Sequence, residues 1–291
     1  MNIIQLTDTQ TILNFVEHAD YNKTSYLYKL PQEHAHINQM LEQAIDNPGV
    51  FALVEDDDIK AVLFAFTYDT QRFKVIGPIV QTGYTLSIED QDALFKHMYQ
   101  AQPPEANFNF SYEAQTQTYA REMKAMDVAY NFTDYYLEAY PEQSEALASS
   151  HPTITEYHKA YFRAFRKLHD KAFKRAEMSA EDIVDALDEY NRLFIYMSEG
   201  LLKGYVYLQV NPNNRIAEIK YFTSHRDYRF KGIAFDLLKY VLHFAFTHYE
   251  LKKVYFKIRS KNSKLVERFN ELGFVVNNEY KKFKFVANNL Q

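Results

Sequence analysis

The stretch Ala217–Leu242, AEIKYFTSHRDYRFKGIAFDLLKYVL, decides the fold of this chain and the chemistry open to it. A β-strand over 215–223 runs into Arg229-Phe230-Lys231-Gly232-Ile233-Ala234, and a helix starts at once. Over 231–248 that helix buries Leu238, Val241, Leu242 and Ala245 at i, i+3, i+4 and i+7. Turn amides at a helix N-terminus converge with the positive end of the helix dipole, which is a geometry that binds phosphate. Gly232 lets the backbone approach a ligand closely, Ala234 keeps the helix start narrow, and Arg226, Arg229 and Lys231 add positive charge. Neither G-x-x-x-x-G-K-[ST] nor G-x-G-x-x-G is present, so a P-loop or dinucleotide fold is not indicated.

Around this segment the C-terminal half reads as mixed α/β. The periodicity predicts helices over 157–175 and 180–189, the second with Ser179 as N-cap and Asp182 at N3. Strands follow at 193–198 and 202–209, before the strand at 215–223. After the central helix come a strand at 253–259, a helix at 262–272 with Gly273 as its C′ glycine, and two short strands, 273–276 and 279–286, about Asn277-Asn278.

The N-terminal half repeats the pattern. FALVEDDDIKAVLFAF at 51–66 matches FIYMSEGLLKGYVYL at 194–208, and 73–80 matches 216–223, both at an offset of 143. Residues 110–128 match 256–274 at an offset of 146. Three blocks in the same order indicate duplicated domains rather than a solenoid. PEQSEALASSHP, 141–152, reads as the linker. The expected division is a domain over 1–142, a linker over 143–152 and a domain over 153–291. Charge divides near the same place: residues 1–148 carry 22 Asp/Glu and 8 Lys/Arg, a net −14, and the other 143 carry 16 acids and 25 bases, a net +9. Gly77-Pro78 reads as a bulge or bend in a strand, and Asp56-Asp57-Asp58 as a charged hairpin turn rather than a calcium loop.

Composition bounds the function classes. The chain has 47% hydrophobic and 24% charged residues, which disfavours disorder. There is no Cys, hence no disulfide scaffold, zinc ribbon or thiol nucleophile. The ten His include no H-x-x-x-H pair, so no metal is expected. MNIIQLTDTQ lacks the features of a signal peptide and no window is apolar enough to span a bilayer, so a cytoplasmic location is expected. With 47 Tyr and Phe and no Trp, the core must rely on Phe and Tyr rings.

The loop Arg229–Ala234 fits [RQ]-x-x-G-x-[GA], and Asn262 through Gly273-Phe274 is similar to N-x-x-A-x-x-x-Y-x-x-x-G-F. On these two motifs, residues 155–287 resemble the GNAT family, the GCN5-related N-acetyltransferases, and the whole chain resembles tandem GNAT proteins. The resemblance implies two GNAT-like domains of α/β (α+β) class, each a mixed twisted sheet flanked by helices. It implies acetyl-CoA as acyl donor and an amine as acceptor, with transfer by direct attack in a ternary complex. Acetyl-CoA contacts would come from Phe222, Thr223, Ser224, Arg229, Phe230, Lys231, Gly232, Ile233, Ala234, Asn262 and Phe269. The family's strand splay would fall between 215–223 and 253–259, freeing backbone amides for the carbonyl. The motif's Ala is Leu265 here, and its Tyr, the family's frequent general acid, is Phe269. The role of proton donor to the leaving thiolate is then vacant, or filled by Tyr228, Tyr255 or water. The N-terminal half has Gln81–Ser87 where the pyrophosphate loop would stand, without the motif or basic charge, and reads as a degenerate repeat that does not hold CoA.

Glu218, on the strand, is the candidate base; a carboxylate at the floor of an apolar cleft has a raised pKa and can take the amine proton. The plainer reading is a surface ion pair. Asn262 serves equally as a helix cap. The seven Lys/Arg over 157–175 read as a solvated face or as an anionic contact. The acids of the first half would attract a cationic acceptor. No nucleic-acid or membrane partner is expected, and homodimerisation stays open. Two rivals remain: a non-catalytic module that senses CoA or binds a partner, motivated by Phe269, and an aminoacyl-tRNA-dependent transferase of the Fem-like type, which the net acidity and intact loop oppose.

Overall fold

The computed structural model describes residues 1–19, 34–69, 71–113, 117–144, 153–174, 176–228 and 231–286. The first half contains β1 (Asn2–Gln5), α1 (Thr9–His18), α2 (His34–Asp46), β2 (Val50–Glu55), β3 (Asp58–Asp69), β4 (Arg72–Val80), α3 (Ile88–Gln100), β5 (Asn107–Glu113), α4 (Gln117–Ala125), β6 (Ala129–Ala139) and the short α5 (Pro141–Ser144). The second contains β7 (Ile154–Glu156), α6 (Phe162–Ala172), α7 (Ala180–Asp185), β8 (Asn191–Ser198), β9 (Leu201–Asn211), β10 (Ile216–Ser224), α8 (Ile233–His248), β11 (Lys253–Arg259), α9 (Ser263–Asn270) and β12 (Val275–Val286). Apart from the short α5, the second half repeats the first element for element, which is the mixed α/β duplication expected.

The chain forms two compact units, Met1–Asp134 with Glu279–Gln291, and Tyr135–Asn278. In unit 1 the order is β1-β2-β3-β4-β5-β12, and in unit 2 it is β7-β8-β9-β10-β11-β6. Each sheet therefore takes its sixth strand from the other half of the sequence. Packing gives the reason. Phe283 and Phe285 of β12 are buried in the unit 1 core beside Phe108 and Phe110, whereas Leu137 and Ala139 of β6 are buried in the unit 2 core. The compact units thus differ at both ends from the linear division at 143–152. Linker residues 145–152 lie outside the described residues.

Strands buried on both faces explain the runs FALV and AVLFAF in unit 1. Val50, Ala52, Val62 and Phe64 face α1 and α2, while Phe51, Leu53, Ala61 and Leu63 face α3. Unit 2 has the same three layers. Its α8 and α9 cover one face over Val206, Leu208, Ala217 and Ile219, and α6 and α7 cover the other over Tyr205, Tyr207 and Tyr221. Ser179 caps α7 in a capping box with Asp182, as predicted, but α7 ends at Asp185, because the Asp188 carboxylate accepts the amides of Tyr190 and Asn191 and turns the chain into β8. The helix expected over 157–175 is shorter as well, with α6 starting at Phe162 after a 3-10 turn over Lys159–Tyr161.

One prediction fails. Asn277-Asn278 is not a turn; β12 runs through it as a single strand. Neither residue has the positive φ of a tight hairpin, and the Asn277 side-chain amide donates to Glu138 Oε2 at 2.8 Å. No helix among the described residues is long and apolar enough to cross a membrane.

Candidate active site

The site is built where two parallel strands part. β10 pairs with β11 only through Ile216↔Lys253, Ala217↔Val254 and Glu218↔Tyr255, after which the two strands diverge toward Ser224 and Arg259. On its other side β10 stays paired with β9 through a bulge between Ile219 and Tyr221. The bulge puts Tyr221 in the core under α6 and returns Phe222 to the face covered by α8.

Beyond Ser224 the chain makes a 3-10 turn over Arg226–Tyr228. The His225 amide donates to Lys203 O at 2.7 Å, and Lys231 N donates to Tyr228 O at 3.2 Å. Gly232 then takes φ 79°, a left-handed conformation that favours glycine, and serves as N-cap of α8. No side chain caps this helix, so a bound anion can take that role. Gly204 of β9 makes the close approach of α8 feasible. A Cβ there would stand 2.8 Å from Ile233 Cγ2 and 2.9 Å from Thr223 O.

The end of β10, the start of α8 and helix α9 line a cavity of about 560 Å³. Of the eleven residues predicted for acetyl-CoA, eight line it: Phe222, Thr223, Ser224, Gly232, Ile233, Ala234, Asn262 and Phe269. Tyr228, the candidate acid, lines it too. Lys231 is exposed at the helix start, with its Nζ 5.3 Å from the Tyr228 ring centroid. Arg229 and Phe230 lie outside the described residues. Asn262 stands at the N-cap of α9 without a side-chain capping bond, so its place in the cavity is not explained by capping.

Sequence reasoning missed Lys264 and Arg268, which bring two further cations to the cavity, with the Arg268 guanidinium 5.7 Å from the Phe235 ring centroid. Their signal was the i, i+4 spacing along α9, facing a loop already read as anion-binding. It also missed Lys203, whose ammonium is buried against the Tyr228 ring at 4.5 Å and paired with Glu199.

Glu218 lies on the opposite face of β10, in a second cavity of about 290 Å³ with Lys220, Tyr221, Lys257, Phe173 and Glu177. Its surroundings are polar, not apolar. Lys257 Nζ is 3.0 Å from Glu218 Oε1, and the Tyr255 hydroxyl donates to Oε2 at 3.2 Å. Burial and then the Glu218 charge hold the Tyr255 phenol protonated far above its ordinary range. For Lys257, burial pulls downward, but the charge and hydrogen bond of Glu218 outweigh it and raise the ammonium above its ordinary value. The structure therefore brings Glu218 to the point of strand divergence but not into the cavity that holds Tyr228. Among the described residues no cluster of three or more His, Asp or Glu could hold a metal.

Residues 153–274 match the model of the acetyltransferase (GNAT) family. No curated protein matches the chain. A GCN5-related N-acetyltransferase from Sphaerobacter thermophilus superposes with a TM-score of 0.67 at 14% identity, over 98% of this chain and 96% of that one. A tandem GNAT protein from the clavulanic acid biosynthesis pathway gives 0.66 at 14%, over 100% and 99%. A GNAT-family acetyltransferase from Colwellia psychrerythraea gives 0.64 at 14%, over 98% and 100%. At such identities the likeness carries the fold alone: the chain as a whole has the tandem GNAT fold, and residues 153–274 match the GNAT family's model.

Proposed function

We propose that unit 2 is an acyl-CoA-dependent N-acyltransferase that moves an acyl group, acetyl in the first instance, from CoA to an amine. The observation that carries this reading is the α8 N-terminus. Glycine-started and without a side-chain cap, it faces the cavity that the end of β10 and helix α9 complete. Phosphates suit the helix start and its flanking cations Lys231, Lys264 and Arg268. The apolar arm suits the wall of Phe222, Ile233, Phe235 and Phe269. Unit 1 is the repeat that does not bind CoA, and the acceptor is an amine, with a cationic one suiting the acid excess of residues 1–148.

The chemistry follows from the two faces of β10. The amine nitrogen attacks the thioester carbon, forming the C–N bond as the C–S bond breaks. Backbone amides where β10 leaves β11 stabilise the developing oxyanion. Glu218 accepts the amine proton, with Lys257 as its counter-ion and Tyr255 holding its second oxygen. Tyr228, the tyrosine among the cavity-lining residues, protonates the departing thiolate. Atoms balance, giving an amide and free CoA.

The test is thiol release from acetyl-CoA across a panel of primary amines. Release above background that falls at least about a hundredfold in Glu218→Gln supports the reading. A second reading is favoured by one observation, Phe269 in place of a proton donor: a module that binds CoA without turnover. CoA binding with no thiol release from any amine supports that alternative instead.

A further inference from the structure

Phe269 occupies the position where the family pattern has tyrosine, and its ring is only 4% exposed. It belongs to a trio of rings at the narrow end of the strand divergence. Phe256 follows Tyr255 directly, so it is the first β11 residue past the last pairing with β10. Phe222 comes from β10 on the facing side, beyond the bulge. The two rings meet edge to face across the divergence, with centroids 5.3 Å apart and planes at 80°. Phe269 reaches in from α9 and meets Phe222 at 5.9 Å and Phe256 at 5.2 Å, both near perpendicular. Phe274 backs Phe256 at 4.8 Å, and both are almost wholly buried.

We propose that this trio is a stop that sets the class of acyl donor, admitting acetyl and excluding longer aliphatic chains; the inference rests on the cavity being an acyl-CoA site. Phe222 and Phe269 of the trio line the same cavity as Gly232 and Ala234 at the helix start. With phosphates at the helix start, the thioester arrives beside the rings. A two-carbon group ends there. A chain several methylenes longer must displace one of three rings held in mutual edge-to-face contact, and such packed interiors resist added volume. Phenylalanine at 269 completes the stop.

Calorimetric titration of the full chain with CoA, acetyl-CoA, butyryl-CoA and hexanoyl-CoA tests this. The wild type should bind hexanoyl-CoA more than about tenfold more weakly than acetyl-CoA. Phe222→Ala removes a half-buried ring and should bring that ratio to within about threefold, and Phe269→Leu, which keeps most of the buried volume, should lower it by a smaller factor. Reading each variant as a ratio cancels any general loss of affinity. Should neither variant fold, the wild-type ratio decides. Equal affinity for both chain lengths in the wild type overturns the proposal, as does a ratio that neither folded variant moves. If CoA itself fails to bind, the acyl-CoA reading falls and takes the stop with it. If CoA binds but chain length has no effect, the stop alone falls.

Discussion

Helices α3 and α8 hold equivalent places in the two units. Each follows a strand that leaves its parallel neighbour after three paired residues, β4 from β5 and β10 from β11. Each of those strands also carries a bulge, where Gly77 sits in one and Ile219–Tyr221 in the other. Yet the helix starts are chemically opposite. Ser87 caps α3, accepting the Asp90 amide at 3.0 Å and donating to the Asp90 carboxylate at 2.6 Å, with Glu89 adding a second acid in the first turn. The loop before it turns Tyr84 and Leu86 onto the unit 1 core. α8 starts at a left-handed glycine with no side-chain cap and opens on a cavity, and its first-turn acid, Asp236, lies further in. Once duplicated, a helix N-terminus can serve its own fold or a ligand: a cap and two carboxylates satisfy the dipole internally, whereas glycine leaves it to an anion.

The comparison can be broken most forcefully at Gly232. Gly232→Glu places a side chain on a left-handed backbone and a negative charge at the anion site. The expected loss is roughly 3 kcal/mol, on the order of a hundredfold in CoA affinity by calorimetry. Gly204→Ala acts at one remove. Its methyl would press on Ile233 and the Thr223 carbonyl, so α8 must shift, costing about 1–3 kcal/mol of stability in denaturant titration and weakening CoA with it. In unit 1, Ser87→Ala should lower stability by about 1 kcal/mol and leave CoA binding as it is, because a side chain already caps that helix start. Smallest is the pH effect at Lys257. Its raised value means the ion pair with Glu218 contributes fully below the ordinary lysine value of 10.5 and is lost as pH rises through the folded value. The stability difference between wild type and Lys257→Met should be flat from about pH 6 to 9 and shrink above 10.5.

Much of this was readable in the chain because it is local. The strand-loop-helix at 217–242, the capping pair Ser179 and Asp182, and Gly273 at φ 84° after α9 all depend on neighbours in sequence. The duplication was readable because its blocks keep their order. The exchange of β6 and β12 was not, since alternating apolar residues say that a strand is buried but not beside which partner. Asn277-Asn278 misled for the same reason: its side chain is engaged by Glu138, which lies in the other half of the sequence. Glu218 was found as a carboxylate on the right strand, but its partners Lys257 and Tyr255 come from β11, so its polar setting followed only from the fold. Gly204 carried no local sign of its role, because what requires it is the approach of α8.

The asymmetry between the two helix starts is tested most directly by the stoichiometry of acetyl-CoA binding to the full chain. Calorimetry should give one site per chain, lost in Gly232→Glu and kept in Ser87→Ala. Two sites per chain, no site, or a single site that survives Gly232→Glu would contradict it.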